Sequence, residues 1–256
     1  MINLQELKKY YPQLNGFNSS ILREYLQYKI LEIIFKSKIS KKLSFLVGTA
    51  IKICYYGTRF SEDLDFDNFS LTKEEFEKLI KIIKKELFLQ GYEVEIKIVS
   101  KGAFRCYLKI PKLLFKNELS ALKDEKIIIQ IDTASHDFNY SPNNFYLQKF
   151  DVFCNIHLTP ASLILSQKIG AIFGRKRPKG RDFYDLIYLM SITDFDFTYL
   201  DFKFGINNKK ALKKQLLFKI SNFDFKQLTR DVLPFLINSN EAERVLHFCE
   251  YIDQKL

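Results

Sequence analysis

Apolar residues recur along this chain first at helical spacing, then in alternation, then at helical spacing again. Leu22, Leu26, Ile30, Ile33 and Ile34 share a face between about residues 20 and 35, which predicts a helix. A basic connector, 36–42, leads into the apolar run Leu43 to Val47, read as a buried strand, and 49–56 reads as a short helix. The clearest helix follows. Thr72 and Glu75 form a capping box, Phe76, Leu79, Ile80, Ile83 and Leu87 make its apolar stripe, and Gly91 sits where a C-terminal cap belongs. Three strands are expected next: Tyr92, Val94, Ile96 and Ile98 in alternation with charged residues; Phe104, Cys106, Leu108 and Ile110 in alternation with Arg105, Tyr107 and Lys109; and Ile127 to Ile131, a nearly unbroken apolar run of the kind a central strand shows, ending at Asp132. Ser141-Pro-Asn-Asn reads as loop. From Thr159 the pattern is helical: 161–173 behind a Thr159 cap with Pro160 at the first helical position, then 181–190, 209–220 and 240–252, the last with Asn240 and Glu243 as its cap pair. The expected architecture is α+β, with a mixed sheet and its helices over 1–155 and a helical bundle over 156–256.

Composition narrows the class without changing that outline. The 256 residues are 47% hydrophobic and 27% charged, which fits a packed core. No window reaches the roughly 18 uninterrupted apolar residues of a membrane span, and the N-terminus lacks a secretory pattern, so the expectation is a soluble cytoplasmic protein without a membrane partner. Cys54, Cys106, Cys154 and Cys249 show no metal spacing; Cys54 and Cys249 fall at apolar helical positions and read as buried thiols. The net charge of +10 points to a polyanionic partner, nucleic acid first. A chain rich in Lys, Ile, Phe and Asn and without Trp is also what an A/T-rich genome produces, and that alternative stays open.

The candidate chemistry lies between Phe45 and Phe66. An apolar run enters a Gly48-Thr49 turn; further on, Asp63 and Asp65 flank Leu64. In a strand alternate side chains share a face, so both carboxylates point one way. Their mutual repulsion is relieved by a hard divalent cation, and Mg2+ takes oxygen ligands shared with substrate phosphates. The turn brings backbone N–H groups and a hydroxyl up to those phosphates. Acidic pairs also occur on solvated strand ends; here both aspartates alternate with apolar residues, which favours the mouth of a buried strand. Asp132 adds a third carboxylate if its strand lies beside theirs, the arrangement of a two-metal phosphoryl-transfer site; the bland alternative is a surface aspartate. Lys168 lies on an amphipathic helix, where a lysine usually faces solvent. Arg175, Lys176, Arg177, Lys179 and Arg181 crowd a Gly- and Pro-flanked loop, either a solvated turn or a contact surface for an RNA backbone. Asp182 and Asp185 open the next helix, where carboxylates favour the dipole. His136, His157 and His247 form no triad or ligand pattern, and there is no Walker loop, dinucleotide fingerprint or zinc motif.

Taken in order, these pieces resemble the AbiEii/AbiGii toxin family of nucleotidyltransferases, which includes the MenT toxins. The family's first motif is similar to Gly-Gly-Thr-Ala-Leu, a short helix, and Arg-Phe-Ser-Glu-Asp-Leu-Asp-Phe. The chain reads Val47-Gly48-Thr49-Ala50-Ile51, then Arg59-Phe60-Ser61-Glu62-Asp63-Leu64-Asp65-Phe66. The later motifs resemble a helix with a lysine, here Gln167-Lys168-Ile169, and a basic loop into Arg181-Asp182-Phe183-Tyr184-Asp185. The resemblance spans roughly Phe45 to Met190.

It implies a DNA polymerase β-like nucleotidyltransferase sheet with an appended helical region, and transfer of an NMP from an NTP, with Mg2+, often onto tRNA, within a toxin–antitoxin or phage-defence system. A cognate antitoxin is an implied partner. Carried over by position, Asp63 and Asp65 are metal ligands, Lys168 contacts nucleotide phosphates, Asp182 is a catalytic-site acid, and Gly48, Thr49 and Ser61 shape the triphosphate pocket. Asp132 follows from the wider fold's third carboxylate. One departure stands out: Val47 replaces the first Gly, and a β-branched residue resists positive φ and narrows a phosphate's approach. The rival readings are a catalytically weakened relative that binds RNA or a protein partner, and a glycosyltransferase with an Asp-x-Asp, which the absence of Rossmann-like alternation disfavours. Replacing Asp63 or Lys168 by Ala is expected to abolish transfer while the fold survives.

Overall fold

Strand pairing organises the first part of the chain. The computed structural model describes every residue except Met1, Ile2, Gln13, Asn15, Gly102 and His136. It divides into two units, one comprising Met1–Ala50, Phe60–Asp137 and Ser141–Thr159, the other Ile51–Arg59, Phe138–Tyr140 and Pro160–Leu256. The first holds, in chain order, α1 (Leu4–Lys8), α2 (Asn18–Lys36), β1 (Leu43–Leu46), the start of α3 (Val47–Cys54), β2 (Leu64–Asn68), α4 (Lys73–Leu89), β3 (Glu95–Lys101), β4 (Ala103–Pro111), α5 (Leu113–Lys116), β5 (Lys126–Ala134), β6 (Asn143–Lys149) and β7 (Val152–Leu158). A single mixed sheet results, ordered β3-β4-β5-β2-β1-β7-β6. β2 runs parallel to β5 and β1 parallel to β7; the other neighbours are antiparallel.

α4 forms where its sequence dictates. The Thr72 hydroxyl accepts from the Glu75 N–H at 3.2 Å, and the Glu75 carboxylate accepts from the Thr72 N–H at 2.9 Å. Its five stripe residues are fully buried. Gly91, at φ 88°, ends it: the Tyr92 N–H reaches the Leu87 carbonyl and the Gly91 N–H that of Phe88, a Schellman closure that needs a left-handed residue. α4 packs on β3 and β4, and α2 on β7 and β5. One sheet face is thereby covered by helices, so Cys106, Leu108, Ile110, Ile127, Ile129 and Ile131 are buried. Ile128, on the opposite face, is exposed, so β5 is not the doubly covered strand its apolar run predicts. Nor does the strand stop at Asp132; it continues to Ala134.

The hairpin β6–β7 departs from the sequence reading, which placed Asn143 and Asn144 in a loop. Two residues, Phe150 and Asp151, link the strands, and Phe150 has φ 57°, a position that usually takes Gly. Tertiary packing holds it there, since its ring meets Tyr10, Tyr25 and Tyr28 edge-on at 4.8–5.4 Å.

The second unit is helical: the end of α3, then α6 (Ala161–Gly174), α7 (Gly180–Met190), α8 (Phe197–Phe204), α9 (Lys209–Ile220), α10 (Phe225–Val232), α11 (Glu243–Leu246) and α12 (Phe248–Lys255). Phe183 sits among the rings of Phe223, Phe225 and Phe248. Gly180 starts α7 hard against α10; a Cβ there would stand 1.9 Å from the Leu228 carbonyl oxygen. Thr159 does not cap α6. Its hydroxyl lies 2.9 Å from that of Ser44, and Pro160 takes the cap position without a side-chain bond. The expected helix over 240–252 is broken into a 3₁₀ turn, α11 and α12, with the Asn238 side chain accepting at the start. α8 and α10 were not apparent from apolar spacing; Asp196 and Asp224 cap them.

All four cysteines are free thiols. Cys54, Cys106 and Cys154 are buried while Cys249 is only partly so, and burial pushes the Cys106 thiol up to about 12 and that of Cys154 up to about 11. Among the described residues no helix is long and apolar enough to cross a membrane.

Candidate active site

In the first unit the chain leaves β1 at Leu46 and turns immediately. Val47 has φ 63°, the only β-branched residue among the described ones in the left-handed region. That conformation strains an L-residue by roughly 1–2 kcal/mol. The turn therefore keeps the backbone that glycine takes for free, with an isopropyl group standing on it. Gly48 and Thr49 follow as the first turn of α3. The Thr49 hydroxyl is fully buried and donates to the Asp63 backbone carbonyl. It ties this turn to the acidic segment and is not directed to an incoming phosphate.

On the other side of the same segment, the Gln27 side-chain amide donates to the carbonyls of Ser61 and Glu62, each at 3.0 Å, and Arg23 pairs with Glu62 at 3.3 Å. Ser61, Asp63 and Asp65 are half-buried. Asp63 precedes β2 and Asp65 lies in it, opposite Leu46 of β1 and beside Asp132 of β5. Leu64 and Phe66 are buried on the helix-covered face, so Asp65 takes the other. Asp67, two residues on, continues the row of Asp65 and is buried.

Asp132 is therefore a true register neighbour of Asp65, but it is engaged. Arg105, across the β4–β5 ladder, grips it at 2.7 and 2.9 Å, and the Gln130 amide donates to it at 2.7 Å. The same contact raises the Arg105 pKa. Among the described residues no three His, Cys, Asp or Glu side chains gather to hold a metal ion. The donor set nevertheless fits a magnesium-type ion, which is usually bound through one or two carboxylates with substrate phosphates and water completing its shell; Asp63 and Asp65 offer hard oxygens.

In the second unit a different cluster of charges forms. Lys168 on α6 is 4% exposed and does not face solvent. Its ammonium lies 3.1 Å from Asp182 and 2.7 Å from Asp185, both in the first turns of α7 and both buried. Arg59, which the sequence reading left without a role, closes the cluster with two bonds to Asp185 at 2.6 and 2.7 Å. Arg175 pairs with Asp182 at 2.7 Å. Burial works to raise the Asp185 pKa, but Arg59 and then Lys168 overcome it and hold the carboxyl below its ordinary value. Burial works to lower the Arg59 pKa, and Asp185 reverses that. The basic loop splits: Arg175, Lys176, Arg177 and Lys179 are exposed, but Arg175 also pairs with Asp182, and Arg181 stacks on the Phe235 ring at 4.3 Å. The signal that could have found Arg59 and Asp185 was their place within the two motifs, at the start of one and the end of the other.

The chain matches the family described as nucleotidyl transferase AbiEii toxin, type IV TA system, over residues 30–241. No curated protein matches it. Among solved structures it is similar to MenT4, a nucleotidyltransferase toxin of Mycobacterium tuberculosis H37Rv, at 13% identity and TM-score 0.59, covering 99% of this chain and 90% of that one. It is also similar to JHP933 from Helicobacter pylori, at 18% identity and TM-score 0.54, covering 95% of each chain. Both are likenesses of fold. With the family match spanning most of the sequence, the chain belongs to the AbiEii nucleotidyltransferase toxins of type IV toxin–antitoxin systems.

Proposed function

We propose that this transferase moves an NMP from an NTP to a hydroxyl of an RNA acceptor, tRNA foremost, with Mg2+ held by Asp63 and Asp65. One observation supports the reading: the Thr49 hydroxyl bonds to the Asp63 carbonyl, which ties the Gly48-Thr49 turn to the segment bearing the two half-buried carboxylates. The acceptor oxygen bonds to the α-phosphorus as the bond to the bridging oxygen breaks; pyrophosphate leaves and the hydroxyl proton passes to solvent. A bound divalent cation supplies charge neutralisation for the triphosphate. The turn at Val47 to Thr49 positions the phosphates, and the Gln27 and Arg23 contacts keep the 61–62 segment still. Asp132 stays with Arg105 and modulates the field beside Asp65. Lys168 and Asp182 are assigned a positioning role inside their own unit, and the exposed Lys176, Arg177 and Lys179 a contact with the RNA backbone. A cognate antitoxin, implied by the family, restrains the activity.

The weakened-binder alternative rests on Val47; its left-handed φ speaks against it, because the motif's backbone is formed despite the side chain. The test incubates the protein with total tRNA and each α-labelled NTP, with and without Mg2+. Wild type is expected to label RNA only with the cation, and Asp63→Asn and Asp65→Asn to lose labelling by about 10³-fold, near 4 kcal/mol, with melting temperature unchanged. Labelling by both variants at the wild-type rate rejects the site. Titration with Mg-NTP separates the alternative, which shows no metal-dependent nucleotide affinity.

A further inference from the structure

The β6–β7 hairpin carries two large rings in water. Tyr146 is 65% exposed and Phe153 61%, and they stack at 5.8 Å between centroids with 17° between planes. The hairpin's other face is an ordinary core surface, with Leu147, Val152, Cys154 and Ile156 buried. A cross-strand aromatic pair stabilises a hairpin modestly, yet leaving both rings outside forfeits the burial that large aromatics ordinarily gain.

The surroundings say what such a pair suits. Around the rings this face of the hairpin presents amides, from Asn144, Gln148 and Asn155, and no carboxylate. His157, at its end, meets the Ser40 carbonyl at 3.2 Å, which brings the 38–42 turn, with exposed Lys41, to the end of the hairpin. Flat aromatic rings and uncharged hydrogen-bonding groups on a chain of net charge +10 complement a single-stranded polynucleotide. Every base offers a π-face to stack. A protein partner would call for a larger apolar area. Strand register also sets Tyr146 and Phe153 on the same sheet face as Asp65 and Asp132, through Asp65 opposite Leu46, Phe45 beside Leu158 and Tyr146 opposite Asn155. β6 lies three strand spacings from β2, on the order of 15 Å.

We infer that Tyr146 and Phe153 form a stacking platform for unpaired bases of the acceptor, next to, and distinct from, the nucleotide site. This rests on the proposed RNA acceptor, and the test reads binding without NTP or metal, so its result stands whether or not transfer occurs. Binding of a fluorescein-labelled 12-nucleotide single-stranded RNA and of the matching duplex is followed by anisotropy at constant salt. For Tyr146→Ala/Phe153→Ala, affinity for the single strand is expected to fall about tenfold or more, with duplex affinity within twofold; Tyr146→Phe/Phe153→Tyr retains both. Circular dichroism confirms that the hairpin variants are folded, as both rings lie outside the core. Equal loss for strand and duplex, no loss, or sedimentation showing that the rings instead join two copies of the chain, overturns the platform.

Discussion

Asp65 and Asp185 are the same residue type near the ends of two separate motifs, and the fold treats them in opposite ways. Asp65 is half-buried at the mouth of β2, beside a second carboxylate on each side of it in sequence and in register. Asp185 is 1% exposed and gripped by Arg59 and Lys168. A carboxylate that keeps access to water can share an oxygen with a hard cation, which is the role proposed for Asp65. One whose cations are already supplied by the protein holds helices together. A motif lists acids; burial and partners decide which of them can do chemistry.

That contrast can be broken in order of effect. Asp185→Ala leaves the Arg59 guanidinium buried without its two-point partner, and is expected to destabilise the second unit by about 3–5 kcal/mol in urea unfolding; a midpoint within 0.5 kcal/mol of wild type would mean that the cluster opens to solvent. Lys168→Met is expected near the lower end, about 3 kcal/mol, since Asp182 and Asp185 each keep one arginine. Any loss of transfer should then follow the folded fraction, and lost transfer with unchanged stability would return Lys168 to a phosphate contact. The burial of Lys168 runs against the expectation that its replacement leaves the fold intact.

Acid provides a milder probe. The Asp185 carboxyl lies below its ordinary value in the folded protein, so its stabilisation is complete above the unfolded pKa of about 3.9 and is lost as pH falls below that, through the folded value. Wild type should lose more stability between pH 7 and pH 3 than Asp185→Asn, which cannot titrate there; equal losses would dissociate the acid transition from this residue. The smallest effect is a gain. Val47→Gly removes a left-handed strain of roughly 1–2 kcal/mol against about 0.5–1 kcal/mol of added chain entropy. The net is about 0 to 1.5 kcal/mol of stability, visible in thermal unfolding, with Mg-NTP affinity rising a few-fold as the isopropyl group leaves the turn. A loss on both counts would show the side chain to be needed.

Legibility followed the same division. α4 could be read almost to the residue, because Thr72, Glu75, the apolar stripe and Gly91 are all local signals. The β6–β7 hairpin could not, because its turn holds Phe150 in a conformation maintained by Tyr10, Tyr25 and Tyr28, residues more than a hundred positions away. The run Ile127 to Ile131 looked doubly buried, since apolarity records what a strand tolerates and not how many faces are covered; Ile128 faces out. In the candidate site, Asp63, Asp65, Gly48 and Thr49 were found from spacing. Arg105 on Asp132 and Arg59 on Asp185 were not, because each pair joins elements 27 and 126 residues apart.

What the sequence by itself determined is the set of local elements and the order of the acidic, glycine and basic motifs, since capping, periodicity and alternation act over a few residues. The tertiary structure alone decided which charges neutralise one another, which aromatic rings remain in water, and that a valine must adopt a glycine's backbone. Those outcomes depend on distances between segments that no short-range rule contains.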